Sequence, residues 1–418
     1  MSIERLIQFL NHSPTSWHAV ANAEAALSKK DFTAIQESDD WSKLKEGNKY
    51  YTTRNGSSLI AFVLPKKEIQ KTLLLGSHTD SPALKLKPQP LFTKDNLMML
   101  GVEVYGAPLL TSWFNRDLGI AGRVVVETPN GHPETRLVNC RDCPLVIPQI
   151  AIHLDREVND KGFIVNKQEG LNAIVGISEK SITLEKLLKV KEKILSHDLF
   201  LYPMEEARLA GASNEMLSSY RIDNLTSVWA SIETLLQASP QANTIQMIAL
   251  WDHEEIGSQS HYSAGGPFVR SVLERLTKDS ECYHRMIARS VAISIDLAHA
   301  THPNFSDKHE ARHPIRLGGG VVLKYSSGYK YATDAETAAP LILAAKKASV
   351  TLQQFITHSN IPAGSTVGPI HAGTTGMPTL DIGIPQLSMH SVRELIAVSD
   401  YQQLVKLLAE LIFISNYL

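Results

Sequence analysis

Two adjacent carboxylates, Glu254 and Glu255, stand in Trp251-Asp252-His253-Glu254-Glu255-Ile256-Gly257-Ser258, directly after the apolar run Thr244-Ile245-Gln246-Met247-Ile248-Ala249-Leu250. That run predicts a buried strand and puts the acidic pair at its carboxyl end, where α/β proteins place their chemistry. Neighbouring carboxylates beside an apolar chain repel each other and lose hydration, so a cation or a shared proton is the natural remedy. A solvated acidic turn is the alternative. Other places offer matching chemistry. Thr72-Leu73-Leu74-Leu75-Gly76 delivers His78 and Asp80, and their one-residue spacing lets a carboxylate steady an imidazole for a metal. Ser290-Val291-Ala292-Ile293-Ser294-Ile295 ends in Asp296, and Pro385-Gln386-Leu387-Ser388-Met389 leads to His390. Asp223 or Asn224 opens a predicted helix through Val228, Ile232 and Leu236, where capping is the ordinary role of such an aspartate.

Taken together, His78, Asp223, Glu255, Asp296 and His390 make a nitrogen and oxygen donor set without thiolate. Such a set suits hydrolytic zinc, and manganese or cobalt would also fit. Two divalent ions carry four positive charges, which three ionised carboxylates and one hydroxide would balance, as a buried site requires. Glu254 is then the spare carboxylate, placed to take a proton from the attacking water and pass it to a leaving amine.

Two other motifs do not carry the chemistry. His309-Glu310-Ala311-Arg312-His313 has the single-zinc protease spacing, which works only on a helix. Pro303 and Pro314 bracket it and no apolar periodicity surrounds it, so a loop is expected. Cys140-Arg141-Asp142-Cys143 has redox spacing but stands alone, which favours a structural reading.

The elements that must position these residues follow from the rest of the chain. The 418 residues, with a formal net charge of -2, predict a globular protein of two domains with neither nucleic acid nor membrane as partner. The start, Met1 to Leu10, lacks the long apolar core of a signal peptide, and no run is long enough to span a bilayer. Three cysteines are too few for a disulfide framework, which favours the cytoplasm. Two helices open the chain, the second starting near Ser16 with Trp17, Val20, Ala23, Ala26 and Leu27 on one side. Ser58 to Leu64 and Thr72 to Gly76 read as strands buried on both faces. From about Leu86 to about Tyr220, short apolar runs alternate with turn signals at Pro129-Asn130-Gly131 and Asn159-Asp160-Lys161-Gly162, a β-rich insertion. Within it, Ser181 to His197 predicts an exposed helix, and His153 sits on a strand-like run, either as a structural histidine or as an active-site residue. A helix from about Tyr401 to Tyr417 closes the chain. The expected fold is therefore α/β, a central mostly parallel sheet flanked by helices, over residues 1–86 plus 221–418, with 87–220 inserted.

Ser77-His78-Thr79-Asp80-Ser81-Pro82, Arg221-Ile222-Asp223-Asn224, Asp252-His253-Glu254-Glu255-Ile256-Gly257-Ser258, Asp296-Leu297-Ala298-His299 and Ser388-Met389-His390-Ser391-Val392-Arg393-Glu394 together resemble the aspartyl aminopeptidase family of metallopeptidases. The likeness runs nearly end to end, and Ser13-Pro14-Thr15-Ser16-Trp17-His18-Ala19-Val20 is similar to the family's amino-terminal segment, except that Ser16-Trp17 replaces the commoner Pro-Phe. The resemblance implies the zinc-aminopeptidase fold with two zinc ions bridged by Asp223, His78 and Asp296 on one, Glu255 and His390 on the other. Asp80 would orient His78, and Glu254 would be the general base. His299, Lys324 and Tyr331 would contact substrate, and His153 would reach a neighbouring subunit's site. The insertion would be a dimerisation domain and the dimers would build a dodecamer. Equally, a β-rich insertion can be a lid.

The expected activity is removal of single amino-terminal residues from peptides, with Lys324 matched to an aspartyl or glutamyl side chain. A neutral- or basic-residue aminopeptidase of the same family is one alternative. A carboxypeptidase or deacylase of similar design is another, and a non-enzymatic scaffold a third.

Overall fold

In the computed structural model, which describes residues 3–177 and 182–413, apolar runs from the early and late parts of the chain become neighbours in one mixed sheet. Among the described residues it has nine strands, in the order Thr33–Ala34, Lys49–Arg54, Ser58–Val63, Thr244–Trp251, Lys71–His78, Val291–Ile295, Thr379–Gly383, Val321–Lys324 and Leu352–Phe355. Strand side chains point alternately to opposite faces, and here each face has its own core. Leu59, Ala61 and Val63 pack into one core and Ile60 and Phe62 into the other. Ile248 and Leu250 likewise part from Met247, Ala249 and Trp251. Helices Ile3–His12, Ser16–Ser28, Ile222–Leu236, Ala335–Lys347 and Val398–Phe413 cover the first face, and Phe268–Leu276, Ser280–Ala288 and Val367–Thr375 the second. A fully buried leucine such as Leu250 contributes roughly 1.5–3 kcal/mol. The two cores therefore hold the sheet firmly enough to carry polar groups at its end.

The middle of the sheet is parallel: Lys71–His78 lies between Thr244–Trp251 and Val291–Ile295, and the latter pairs in parallel with Thr379–Gly383. Antiparallel pairings flank it, with Ser58–Val63 on one side and Val321–Lys324 on the other. Strands that run the same way end at the same edge, and that edge receives the candidate site residues.

A second sheet, antiparallel throughout, takes the order Pro133–Leu145, Leu118–Glu127, Ile194–Pro203, Ala83–Lys94, Leu97–Tyr105 and Ala173–Ile177. A bridge between Val146 and Ile174 brings its two outer edges together around Leu84, Leu100, Trp113, Leu118, Ile120 and Leu199. A third sheet joins Arg208–Ala210 and Met216–Ser219 to Glu394–Ala397, Pro385–Leu387 and Ala298–His299. Sheet membership thus does not follow the 87–220 division at its edges: the second sheet starts at Ala83, and 208–219 pairs with the end of the chain.

Two local expectations are corrected. The helix predicted over 181–197 is a single turn, Leu184–Leu188, stopped by Lys189 in the left-handed conformation, and Ile194 to His197 belong to a strand pairing with Leu118–Glu127; Ser181 itself lies outside the described residues. Helical leucine spacing over so few residues does not outweigh a long antiparallel ladder. His153 lies in a turn rather than on a strand, and its neighbours Ile150, Ile152 and Leu154 are exposed. The closing helix is described from Val398 to Phe413, and its expected extension to Tyr417 lies outside the described residues.

Candidate metal centre

The three central parallel strands end together, so His78, the Glu254–Ile256 turn and Asp296 arrive at one edge of the sheet. The approach is close at one point: a Cβ on Gly383 would come within 1.7 Å of the Asp296 carbonyl oxygen, so glycine is required there. Arg221, His253 and His390 have φ of 62°, 67° and 68°. That region is sparsely used by non-glycine residues and recurs at functional sites.

Asp223 stands at the centre. It does not cap its helix: the chain leaves helical dihedrals at Asp223 and Asn224, and Asp223 Oδ1 has no hydrogen-bond partner. Its carboxylate faces two ways. Oδ1 lies 3.3 Å from His78 Nε2, and Oδ2 lies 3.5 Å from His390 Nε2. Asp296 Oδ1 is 3.7 Å from His78 Nε2, and Glu255 Oε2 is 3.4 Å from His390 Nε2. Donor atoms of His78, Asp223 and Asp296, of Asp223, Glu255 and His390, and of His78, Glu254 and Glu255 lie within 4.8 Å of one another.

Both histidines are set to present Nε2. His78 Nδ1 lies 3.0 Å from the Asp80 carbonyl oxygen and 3.5 Å from its carboxylate, while His390 Nδ1 lies 3.0 Å from the Ala107 carbonyl oxygen. A carbonyl only accepts, so each Nδ1 carries the proton and each Nε2 is left as a donor to a metal. The Asp80 carboxylate accepts from the Glu254 and Glu255 backbone N–H groups, both at 3.1 Å, and from the Tyr105 hydroxyl at 2.7 Å. One aspartate therefore fastens His78 to the acidic pair.

The electrostatics call for cations. Burial alone would lower His78, yet Asp223, Asp296 and Asp80 raise it well above its ordinary value. Burial also opposes the charge on His390, but Asp223 and Glu255 push it up to about 10. Desolvation and then the surrounding carboxylates raise Glu254 to about 8 and Glu255 well above the usual carboxylate range. Asp223, despite burial, is held well below that range by His390 and His78. Protons thus accumulate where positive charge is short. Asp223 Oδ1 and Glu255 Oε1 are buried acceptors without a hydrogen-bond partner, which divalent ions would satisfy. The donor set fits zinc.

The same cavity is walled by His299, Lys324, Tyr331, Phe355, Thr366 and Met389. Lys324 is buried, donates to the Leu297 carbonyl at 2.6 Å and lies 5.3 Å from the centre of the Tyr331 ring. Desolvation and then Lys324 lower His299. His153 is not among the residues lining this cavity. His309 to His313 lies outside regular structure, with His313 Nδ1 2.6 Å from Glu310, so the helix that the single-zinc motif requires is not formed. The three cysteines are free.

Tyr105 and Glu394 were not singled out from the sequence. Tyr105 acts through a contact to Asp80, distant in sequence, and has no local signal. Glu394 was visible only as the fourth residue after His390; its oxygens accept from the backbone N–H groups of His390 at 2.8 Å and Asp223 at 3.0 Å.

The chain is similar to proteins of one kind throughout its length. The family profile described as aminopeptidase I zinc metalloprotease (M18) matches residues 9–412. A probable M18 family aminopeptidase 2 of Pseudomonas aeruginosa is 41% identical over 416 residues, 96% of either chain. Among solved structures, the Ape4 and Nbr1 complex has a chain 33% identical with a TM-score of 0.93, covering 98% of this chain and 85% of that one. The S. cerevisiae mApe1 dodecamer has a chain 27% identical with a TM-score of 0.85, covering 97% of this chain and 95% of that one.

Proposed function

The chain belongs to the M18 family of zinc aminopeptidases, a family of hydrolases, and on that premise we propose that it removes single acidic residues from the amino termini of peptides at a two-ion zinc site. The observation that carries the reading is Asp223, whose two oxygens face His78 and His390 separately. His78 and Asp296 would hold one ion, Glu255 and His390 the other, and Asp223 both. Bound zinc would supply Lewis acidity toward the scissile carbonyl and the attacking water. Glu254 accepts the proton of that water as its oxygen adds to the carbonyl carbon, then delivers it to the amine as the C–N bond breaks. Asp80 holds His78 and the backbone of the acidic pair in register. The carboxylates also attract a free α-ammonium, which makes the action exopeptidic; an acetylated terminus lacks that charge.

Lys324 is the basis for acidic preference. It reaches the cavity wall from a buried strand, and among the described residues one of its three donors is engaged, by the Leu297 carbonyl. His299 and Tyr331 complete the wall beside it. The test is a matched peptide set beginning with Asp, Glu, Leu or Lys, each free or acetylated, offered to the zinc-loaded protein and to K324A. Free Asp and Glu peptides should be cleaved fastest, and K324A should reduce the ratio of acidic to neutral cleavage about tenfold or more. An unchanged ratio would remove Lys324 from the pocket, and cleavage confined to the acetylated set would indicate a deacylase.

Residues 87–220 are proposed as the dimerisation domain. Ile150, Ile152 and Leu154, next to His153 in the chain, are exposed, apolar surface that contact with another subunit would cover. Likeness to the mApe1 dodecamer supports further assembly. In such an assembly His153 would act in a neighbouring site. H153A and E254Q proteins, each inactive alone, should then regain activity when reassembled together; no recovery would confine His153 to its own subunit. The three free cysteines fit the cytoplasm.

A further inference from the structure

We propose that Glu394 is a positioning residue that locks Asp223 and His390 to one another and thereby sets the affinity of the Asp223, Glu255 and His390 group for its ion. The inference rests on the two-ion reading above. Strands Met216–Ser219 and Glu394–Ala397 are antiparallel, with Ser219 opposite Glu394. From that pair the chain runs forward to Asp223 and backward to His390, through Arg221 and His390 in the left-handed region. Both segments come back to one carboxylate. Glu394 Oε2 accepts the Asp223 N–H at 3.0 Å and Oε1 accepts the His390 N–H at 2.8 Å, and the side chain is buried.

Two buried N–H groups pointing at one residue need two acceptors, which a carboxylate offers and a carboxamide does not. Glutamine would set its NH₂ against one of the N–H groups, freeing that segment to move. The effect should be one-sided. Asp223 keeps other anchors toward His78 and Asp296: its carbonyl accepts from Ser81 Oγ at 2.6 Å, and Asn224 donates to Ile295 at 2.8 Å. His390 is held from the other side by the Ala107 carbonyl and by the Leu109 N–H at 2.8 Å to its own carbonyl. Those contacts tie it to the loop before Trp113, whereas Glu394 ties its backbone to the backbone of Asp223.

The test is zinc titration of the metal-free full-length proteins against a competing chelator, with ion content read by native mass spectrometry. Wild type should take two ions. E394Q should keep one at wild-type affinity and bind the other about 10- to 100-fold more weakly. In a D296A background, which retains the Glu255 and His390 ion, E394Q should produce the same weakening. In an H390A background it should leave the remaining ion unchanged. E394D, too short to reach both N–H groups, serves as the second variant and should behave like E394Q. Wild-type zinc affinity in D296A/E394Q would overturn the proposal. A wild type that binds one ion would instead overturn the two-ion reading, and the clamp would then stand only if E394Q weakened that single ion.

Discussion

Glu254→Gln is expected to lower kcat by about 100- to 10,000-fold while leaving the zinc content of the protein unchanged, the range found when a positioned proton-transfer group is removed. The substitution keeps the shape of the side chain and removes its ability to take a proton. The backbone of Glu254 is fixed by Asp80, so the carboxamide that replaces the carboxylate should occupy the same wall of the cavity. The ion content decides the interpretation. Glu254 lies close enough to His78 and Glu255 to share a cation with them, so a ligand role is a real competitor. If E254Q loses an ion along with activity, Glu254 is a ligand and the base must be sought elsewhere. An unchanged rate with both ions bound would exclude either role. Desolvation, which raises this carboxyl to about 8 in the metal-free site, also shows why the ions matter to it: dications nearby favour the ionised form, and only that form can act as a base.

That Glu254 and its neighbours could be grouped as candidates from sequence follows from how the sheet is built. Strands buried on both faces are mostly apolar, so Thr72 to Gly76 and Thr244 to Leu250 stand out, and the charged residues after them are conspicuous. Parallel pairing then brings their ends together. Asp223 was harder, since a helix-opening aspartate ordinarily caps, and only the positions of His78 and His390 distinguish the two roles. Contacts made to backbone were illegible: Glu394 serves Asp223 from 171 positions away, and the Ala107 carbonyl orients His390 from 283. No pattern of side-chain types records which N–H or carbonyl a group will meet. The 181–197 segment failed for a related reason, because its leucines fit a helix locally while Ile194 to His197 complete a ladder with residues 124–126.

Asp223→Ala is expected to abolish measurable turnover and to weaken both ions by more than about 100-fold each, beyond the loss typical of removing a supporting contact. The reason is geometric. His390→Ala removes a donor from one group only, and Asp296→Ala from the other, so each should cost one ion. Asp223 belongs to both groups, with Oδ1 3.3 Å from His78 Nε2 and Oδ2 3.5 Å from His390 Nε2, so its loss removes a donor from each. Asp223→Asn refines the test by keeping volume and one acceptor while deleting the charge. In the metal-free state its His390 should titrate below about 10, since the carboxylate contact that helps raise it is gone, and NMR titration of the imidazole would read this without any zinc present. If D223A lost one ion and held the other as tightly as wild type, Asp223 would serve a single ion, and the facing directions of its oxygens would reflect hydrogen bonding between a carboxylate and two charged imidazoles.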